Sequence, residues 1–170
     1  MAPRPFVPYP NACLTAPAAP VDMIDSDIRA LWDDMLAAMY AMPGVGLAAP
    51  QLGVGLRLAV LDCSDSRDQP VRLANPVIAA LGDEMRTGTE GSPNLPGLWA
   101  EVARPAWAEV NFLDETGAET TRRFEGLWSA SVQHQIDHHN GLLFFDRLSP
   151  LKRRRLLEKH RKARLKAKRG

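Results

Sequence analysis

The sequence predicts an α+β fold in which short antiparallel sheets surround a central helix and a basic helix closes the chain. Three observations lead to this prediction. An apolar stripe of helical period occupies residues 24–44, short segments rich in strand-forming residues and turn signals follow across residues 56–126, and helical periodicity returns from residue 127. The 170 residues suffice for one domain with a real core.

Prolines interrupt residues 1–20, which predicts an extended lead-in and argues against a signal peptide. The first helix follows, since its apolar residues share one face: Ile28, Leu31, Trp32, Met35, Leu36 and Met39. Asp25 or Ser26 is positioned to cap the start of this helix, and Pro43 and Gly44 are expected to stop it.

Strands are predicted at residues 56–63 and 71–81, joined by a polar turn. Residues 97–126 read as further strands, with a hairpin turn at residues 114–117, where Gly117 accepts a positive φ. A second helix covers residues 127–141, and one of its sides carries Leu127, Ala130, Ser131, His134, Asp137 and His138.

The helix is expected to end at Asn140 and Gly141, with Gly141 in the C′ position. Residues 142–148 are expected to form a short strand or turn. Ser149 and Pro150 then start the basic helix.

Charge is divided unevenly along the chain. Residues 151–170 hold 11 Lys or Arg and one acid, whereas residues 1–150 carry a net charge of −9. This asymmetry predicts an acidic domain at 1–150 and a basic helical extension at 151–170. No apolar run is long enough for a membrane span. The two cysteines, Cys13 and Cys63, favour a cytoplasmic location.

The segment "QHQIDHH" places His134 and His138 four residues apart, so that two imidazoles on one helical face can share a metal ion. Metal hydrolases with this spacing usually carry Glu after the first His, but this chain has Gln135. Taken alone the spacing is a weak signal, because two partly buried histidines at a helix surface give the same pattern.

Three stretches together are more specific: "GVGLAAPQ" at 44–51, "EGSPNLPG" at 90–97 and "QHQIDH" at 133–138. In order and register they resemble the peptide deformylase family, and the likeness extends nearly end to end. The resemblance implies a peptide deformylase-like fold and removal of the N-formyl group from the starting methionine of new bacterial chains. It also implies an Fe²⁺ or Zn²⁺ ion held by one Cys and two His, with a Glu as general base. The formyl oxygen would be held by a Gln and by the backbone N–H after the Cys.

By resemblance, the two metal-binding histidines are His134 and His138, and the glutamine of the oxyanion site is Gln51. The other positions have changed. Ser92 stands where the family has its cysteine ligand, and Pro93 stands where the family has the backbone N–H. The serine two residues after the cysteine corresponds to Asn94, and the catalytic glutamate corresponds to Gln135.

Each change removes a chemical group. Ser92 offers a neutral hydroxyl instead of a thiolate, so the metal is expected to be weakly bound or absent. Pro93 has no N–H, and losing one oxyanion donor costs about 10²–10³ in rate. Gln135 cannot exchange a proton, a loss of about 10²–10⁴. Gln135 and Gln51 therefore mark a degenerate catalytic site, and we expect an inactive or severely impaired homologue.

The substrate cleft can persist without catalysis. Gly46, Gln51, Leu95 and Trp99 are the expected substrate-binding residues, with Val45 and Leu47 as further candidates for the cleft, although core packing is the default for each apolar side chain. The expected ligands are the N-termini of nascent chains. Gly44 and Gly46 also suit a helix C-cap and a tight turn.

Four other polar residues have supporting or peripheral roles. Glu90 is expected to pair with an Arg or backbone amides, and Asp137 either orients the site helix or is an exposed acid. His139 is expected to face away from the metal position, and His160 to be solvated. The basic extension predicts salt-dependent contact with ribosomal RNA, while the oligomeric state stays open.

Two alternatives remain. An active metallohydrolase would bind its ion through His134, His138 and either Ser92 or Asn94, with Asp137 or water assisting. A plain RNA-binding module fits less well, because basic residues interleaved with aromatics are missing outside the extension.

Overall fold

A five-stranded antiparallel sheet forms the centre of the molecule in the computed structural model, which describes residues 2–170. Its spatial order is β1-β2-β3-β6-β7, and a separate hairpin pairs β4 with β5. The strands are β1 (Gly46–Ala48), β2 (Leu58–Leu61), β3 (Val71–Leu81), β4 (Met85–Gly91), β5 (Trp99–Pro105), β6 (Trp107–Leu113) and β7 (Glu119–Glu125). The α+β prediction is confirmed.

The central helix, α3, spans Gly126–His139 and begins directly after the last strand. It contacts β1, β2, β6 and β7, and its Val132 and Ile136 pack into a core cluster with Leu61 and Phe124. Gly141 follows the helix with a φ of 76°, which confirms its predicted role at the C-terminus. The site residues therefore lie on a helix fixed along its length by the sheet.

The first long helix, α2, spans Ser26–Tyr40 and packs against β1 and β2 through Trp32, Met35 and Met39. The Asp25 carboxylate caps it by accepting from the Ile28 N–H at 2.9 Å. The helix ends before Pro43 and Gly44, because a proline disfavours helical backbone at the residue preceding it. The helix therefore ends a few residues before the predicted stop. Its C-cap is Ala41, and Gly44 does not form the cap.

Strand β4 was not predicted from the sequence, because its segment "MRTGTEG" is polar, contains two glycines and shows no apolar alternation. It exists by pairing with β5, in a register that runs from Met85 opposite Pro105 to Gly91 opposite Trp99. The hairpin places Glu90 beside α3 and leads the chain into the turn that contains Ser92.

The two ends of the chain meet on one side of the molecule. The lead-in contains a short helix, α1 (Ala12–Thr15), and residues 142–148 form a 3-10 turn at Phe144–Arg147. The last helix, α4 (Pro150–Arg169), starts at a Ser149 cap, as predicted. Its Leu156 joins a third core cluster that contains Leu14, Leu95, Leu98, Val102, Leu143, Phe144 and Phe145.

His160 was predicted to be solvated, and this prediction is wrong. The ring is buried and bonds through Nε2 to the Tyr9 carbonyl at 3.0 Å, because α4 packs its inner face on the N-terminal segment. Within residues 2–170, no helix combines the length and apolar character needed to cross a membrane.

Candidate functional site

A cavity of about 420 Å³ opens between the β1 edge, the segment that links β4 to β5, and α3. Its walls are mostly apolar and include Met42, Pro43, Val45, Leu95, Pro96, Leu98, Trp99, Leu127 and Ala130. The four predicted substrate-binding residues all line it: Gly46, Gln51, Leu95 and Trp99. Leu47 does not, because alternation along β1 turns it into the core, where it is fully buried.

Gly46 is required by a close approach between β1 and α3. It pairs with Leu61 in the sheet, and a Cβ at this position would lie 2.4 Å from Ser131 Oγ and 2.6 Å from Gln135 Nε2. The expectation that it forms a tight turn is wrong, since the residue belongs to a strand. A side chain here would push against the residues that form the cavity wall.

Pro93 lies in a tight turn at the cavity rim. The turn is closed by a hydrogen bond from the Leu95 N–H to the Ser92 carbonyl at 3.0 Å. Pro93 is the second residue of this turn, a position that its fixed φ suits. The local geometry is therefore well formed, and what the turn lacks is the N–H of that residue.

Ser92, Asn94 and Gln51 form a closed network of neutral groups. Ser92 Oγ donates to Asn94 Oδ1 at 2.8 Å, and Gln51 Nε2 donates to Asn94 Oδ1 at 2.9 Å and to Ser92 Oγ at 3.3 Å. Gln51 Oε1 accepts from the Ala48 N–H at 3.0 Å. The three side chains are buried, so they bond to one another in place of water.

A chain of ion pairs supports the wall behind this network. Arg104, on β5, donates from Nε and Nη2 to the Glu90 carboxylate at 2.7 and 2.9 Å and from Nη1 to Asp137 at 2.9 Å. Arg147 donates to both oxygens of the Asp137 carboxylate, and its Nε shares Oδ2 with Arg104 Nη1. Glu90 thus pairs with an Arg, as predicted, and Asp137 is a buried orienting residue instead of an exposed acid.

Glu90 is held in its ionised form. Burial alone would raise the pKa of its carboxyl, but the hydrogen bonds with His134 and Arg104 and the charge of the Arg104 guanidinium outweigh burial and lower the pKa to about 2. Glu90 Oε1 lies 2.7 Å from His134 Nδ1. We assign the Nδ1 hydrogen to this contact, which leaves Nε2 of His134 with a lone pair.

His134 and His138 approach each other as their spacing predicted, with their Nε2 atoms 3.1 Å apart. Burial, followed by the nearby His134, His139 and Arg104, lowers the pKa of His138 well below its ordinary value, so its ring is neutral. His138 Nδ1 is buried without a hydrogen-bond partner. The pair could provide two nitrogen ligands to a divalent cation.

The remaining donors do not fit the three-ligand iron or zinc centre that the resemblance implies. Within residues 2–170, no group of three His, Cys, Asp or Glu side chains is arranged to hold a metal ion. The third position offers the Ser92 hydroxyl, whose hydrogen is bonded to Asn94. A dication at two neutral imidazoles and a neutral hydroxyl would lack the anionic ligand that stabilises such centres.

Cys63 does not replace the missing thiolate. Its Sγ lies 3.8 Å from the Val45 carbonyl, and burial, reinforced by the nearby Asp62 carboxylate, raises the pKa of the thiol to about 12. A thiol with such a pKa stays protonated at neutral pH.

Gln135 lies on the cavity wall and is 4% exposed. Its Oε1 atom is buried and has no hydrogen-bond partner. His139 faces the other way, as predicted, and bonds through Nε2 to the Leu58 carbonyl at 2.8 Å. Sequence reasoning missed Arg104 and Ser131 as site residues, because a single Arg in a strand and a Ser in a helix carry no recognisable motif.

Comparisons with known proteins place this geometry in context. The family model described as polypeptide deformylase matches residues 3–154. A peptide deformylase of Methylocella silvestris is 42% identical over 165 residues, covering 94% of this chain and 84% of the relative. Crystal structures of peptide deformylases from Legionella pneumophila and Ehrlichia chaffeensis are similar, with TM-scores of 0.88 and 0.89 and identities of 39% and 31%. Both likenesses extend over 98% of this chain. They cover 98% of the Legionella structure and 99% of the Ehrlichia structure.

Proposed function

The chain belongs to the polypeptide deformylase family, and we propose that it is a member that binds peptide N-termini in its cleft but has little or no deformylase activity. The observation that carries this proposal is the closed Ser92–Asn94–Gln51 network at the cavity wall, next to a proline without an N–H. The family normally uses a metal ion and acts on N-formyl peptides, and the groups that this chemistry needs are the ones replaced here.

The proposed loss of activity follows from three chemical changes in one site. The ligand position has a hydroxyl bonded to Asn94, the Pro93 position has no hydrogen to offer a developing oxyanion, and Gln135 has no titratable proton. Residues that act as a unit have non-additive effects, so the losses do not simply multiply. Any one of them alone would reduce turnover by roughly 10²-fold or more.

Retention of binding is supported by the cavity itself. Its volume of about 420 Å³ lies within the range of roughly 300–1,000 Å³ found for small-molecule sites. The apolar walls suit an apolar first side chain such as methionine, and a few polar groups remain at one end. The ion pairs around Arg104 hold both walls whether or not any reaction occurs.

The experiment that tests the proposal restores the lost groups. Ser92→Cys, Pro93→Leu and Gln135→Glu are introduced together, and hydrolysis of a formyl-methionyl peptide is measured in the presence of supplied Fe²⁺ or Zn²⁺. We expect background turnover for the original chain and a gain of about 10²-fold or more for the triple variant, since a single restored donor or base is worth that much. Turnover of the original chain at ordinary enzyme rates, about 1–10³ s⁻¹, would refute the proposal.

The main alternative is an active hydrolase with altered metal ligation, and the close imidazole pair is the observation that favours it. Metal content after anaerobic purification separates the two. A full equivalent of a transition metal that is lost in a His138→Ala variant, together with measurable hydrolysis, would establish the alternative. Less than about a tenth of an equivalent would remove it, because hydrolysis of this type depends on the ion.

A second proposed property concerns α4. Its outer face is exposed and strongly basic, and in the described part of the chain the acid Glu158 pairs only with Arg161 and Lys162. A positive helix of this kind binds RNA phosphates with an affinity that falls as salt rises. Ribosomal RNA is the expected partner.

Truncation after residue 161 tests this property while keeping Leu156 and His160, which attach α4 to the body. We expect co-sedimentation with ribosomes at low salt for the full chain and a clear loss for the truncated one, with the largest difference at low ionic strength. Equal sedimentation of both forms at every salt concentration would end the RNA proposal.

A further inference from the structure

Two glutamines on α3 lie two residues apart, and they differ in what their amides contact. Gln133 is 5% exposed, and its Nε2 has two acceptors within hydrogen-bonding distance, the Pro105 carbonyl at 3.0 Å and Ser129 Oγ at 2.8 Å. Gln135 is 4% exposed, yet among residues 2–170 neither polar atom of its amide has a hydrogen-bond partner. Burying an amide without a partner costs free energy, so packing does not explain a glutamine at position 135.

The Gln135 amide is presented to the cavity, which the residue lines together with Gln51 and His134. Its Oε1 is shielded from solvent, so Nε2 is the polar atom that Gln135 offers there. Nε2 lies against Gly46, where a Cβ would come within 2.6 Å of it, so the glycine leaves the space that the amide occupies. An unpartnered amide hydrogen on a cavity wall favours ligands that bring an acceptor oxygen.

The residue type at position 135 decides whether this part of the wall donates or accepts hydrogen bonds. An ionised glutamate, which the family has at this position, offers only acceptors, whereas a glutamine carries two hydrogens on its amide nitrogen. Pro93, in the turn at the cavity rim, has no N–H. Gln135 therefore adds a donor to a site that lacks the backbone donor at Pro93.

The apolar walls suit the first side chain of a peptide, which brings the terminal group of that peptide to the polar residues. An acylated terminus presents a neutral carbonyl oxygen there. We infer that Gln135 is a specificity-determining residue that donates from Nε2 to the carbonyl oxygen of an acylated peptide N-terminus. This inference rests on the proposed peptide-binding function, and it assigns Gln135 a binding role in place of the proton transfer that an amide cannot perform.

Replacing Gln135 by methionine removes the amide and keeps a side chain of similar length. Because the amide contacts the ligand and is not used by the fold, binding should weaken while stability is retained. Gln133→Met is the matched control: it is the same substitution on the same helix, it lies outside the cavity lining, and it removes an amide that has partners inside the protein.

Two ligands isolate the carbonyl oxygen: N-formyl-Met-Ala-Ser and its des-amino analogue, which lacks the formylamino group and keeps the apolar side chain. Affinities are measured by isothermal titration calorimetry at pH 7, and mass spectrometry confirms that the formyl group stays intact. The original chain and Gln133→Met should bind the formyl peptide at least about threefold more tightly than the analogue. In Gln135→Met this preference should fall by about three- to tenfold, the range for one neutral hydrogen bond.

Thermal unfolding without ligand separates a binding role from a structural one. Gln135→Met should unfold at the same temperature as the original chain or higher, because it removes a buried amide that has no partner. Gln133→Met should unfold about 2–8 °C lower, because Ser129 and Pro105 lose a hydrogen-bond partner. A melting temperature of Gln135→Met as low as that of Gln133→Met would show that the fold uses the amide, and the inference would be overturned.

The binding outcomes distinguish this inference from the proposed function. Failure of both ligands to bind the original chain would refute the peptide-binding function and this inference with it. Binding of both without a preference for the formyl peptide, or with a preference that Gln135→Met leaves unchanged, would overturn the inference alone. If the methionine variant does not fold, Gln135→Ala takes its place, and the same fall in preference is expected.

Discussion

The Arg104 guanidinium on β5 donates from Nη1 to the Asp137 carboxylate on α3 at 2.9 Å, and this contact joins the hairpin to the central helix. The same guanidinium is bonded to Glu90 through two nitrogens. Arg104 and Asp137 are both almost completely buried, so the charges are shielded from water. The two walls of the cavity are therefore connected through one cation.

Replacing Arg104 by methionine should destabilise the protein by about 3–5 kcal/mol, because Glu90 loses its strong cation and Asp137 keeps only Arg147. Urea unfolding followed by circular dichroism measures the change. Arg4→Met is the matched control, since the Arg4–Asp34 pair is exposed and such pairs contribute about 0–1 kcal/mol. Similar losses for both variants would contradict the role assigned to Arg104.

Gly46→Ala should cost about 1–3 kcal/mol and weaken peptide binding, because the added methyl would overlap Ser131 Oγ and Gln135 Nε2. Thermal unfolding and calorimetric titration with a tripeptide measure the two effects. Gly88→Ala is the control on β4, where nothing lies within 4 Å of the new Cβ, and it should leave stability equal or slightly higher. If both variants behaved alike, the close approach would not be the reason for glycine at position 46.

His160→Ala should destabilise the protein by about 1–3 kcal/mol, since it leaves the Tyr9 carbonyl without its partner and opens the contact between the two rings. Lys159→Ala, on the exposed face of the same helix, should change stability by less than about 0.5 kcal/mol. Chemical denaturation measures both. A His160 variant as stable as the Lys159 variant would mean that α4 is attached by its leucines alone.

Asp62 provides a prediction about pH. Burial raises the pKa of its carboxyl, but hydrogen bonds from Ser64, Tyr40 and Gln69 outweigh burial and hold the pKa below its ordinary value. Because the folded-state pKa is the lower one, the stabilisation is complete above the unfolded value of about 3.9 and is lost as pH falls through the folded value.

We therefore expect Asp62→Asn to lower the free energy of unfolding at pH 7 by about 1–3 kcal/mol and to have a smaller effect at pH 3 and below. Urea unfolding across this pH range measures the difference. Asp33→Asn, at a mostly exposed carboxylate in a surface ion pair, is the control and should show little dependence. A loss that grew towards low pH would contradict the direction of the Asp62 shift.

Periodicity predicted the two long helices, the basic helix and most strands of the main sheet, because their buried faces repeat with the period of the element. It failed at β4, which is polar and exists only by pairing with β5. The burial of Leu47 agrees with the core-packing default, whereas the expectation of a solvated His160 was wrong, because burial there is decided by the neighbouring element that packs against the residue. These are contacts between segments far apart in sequence, and local patterning does not record them.

The sequence by itself determined the chemical inventory of the site: two histidines at helical spacing, a hydroxyl, a proline without an N–H, and an amide at the position of the general base. These are covalent facts that no arrangement of the chain can alter. Only the tertiary structure decided which hydrogen-bond donors and acceptors of these groups are already used within the protein. It places Asn94 against Gln51 and Arg104 between Glu90 and Asp137, and a hydrogen bond already made inside a buried wall is one that a ligand cannot use without replacing it.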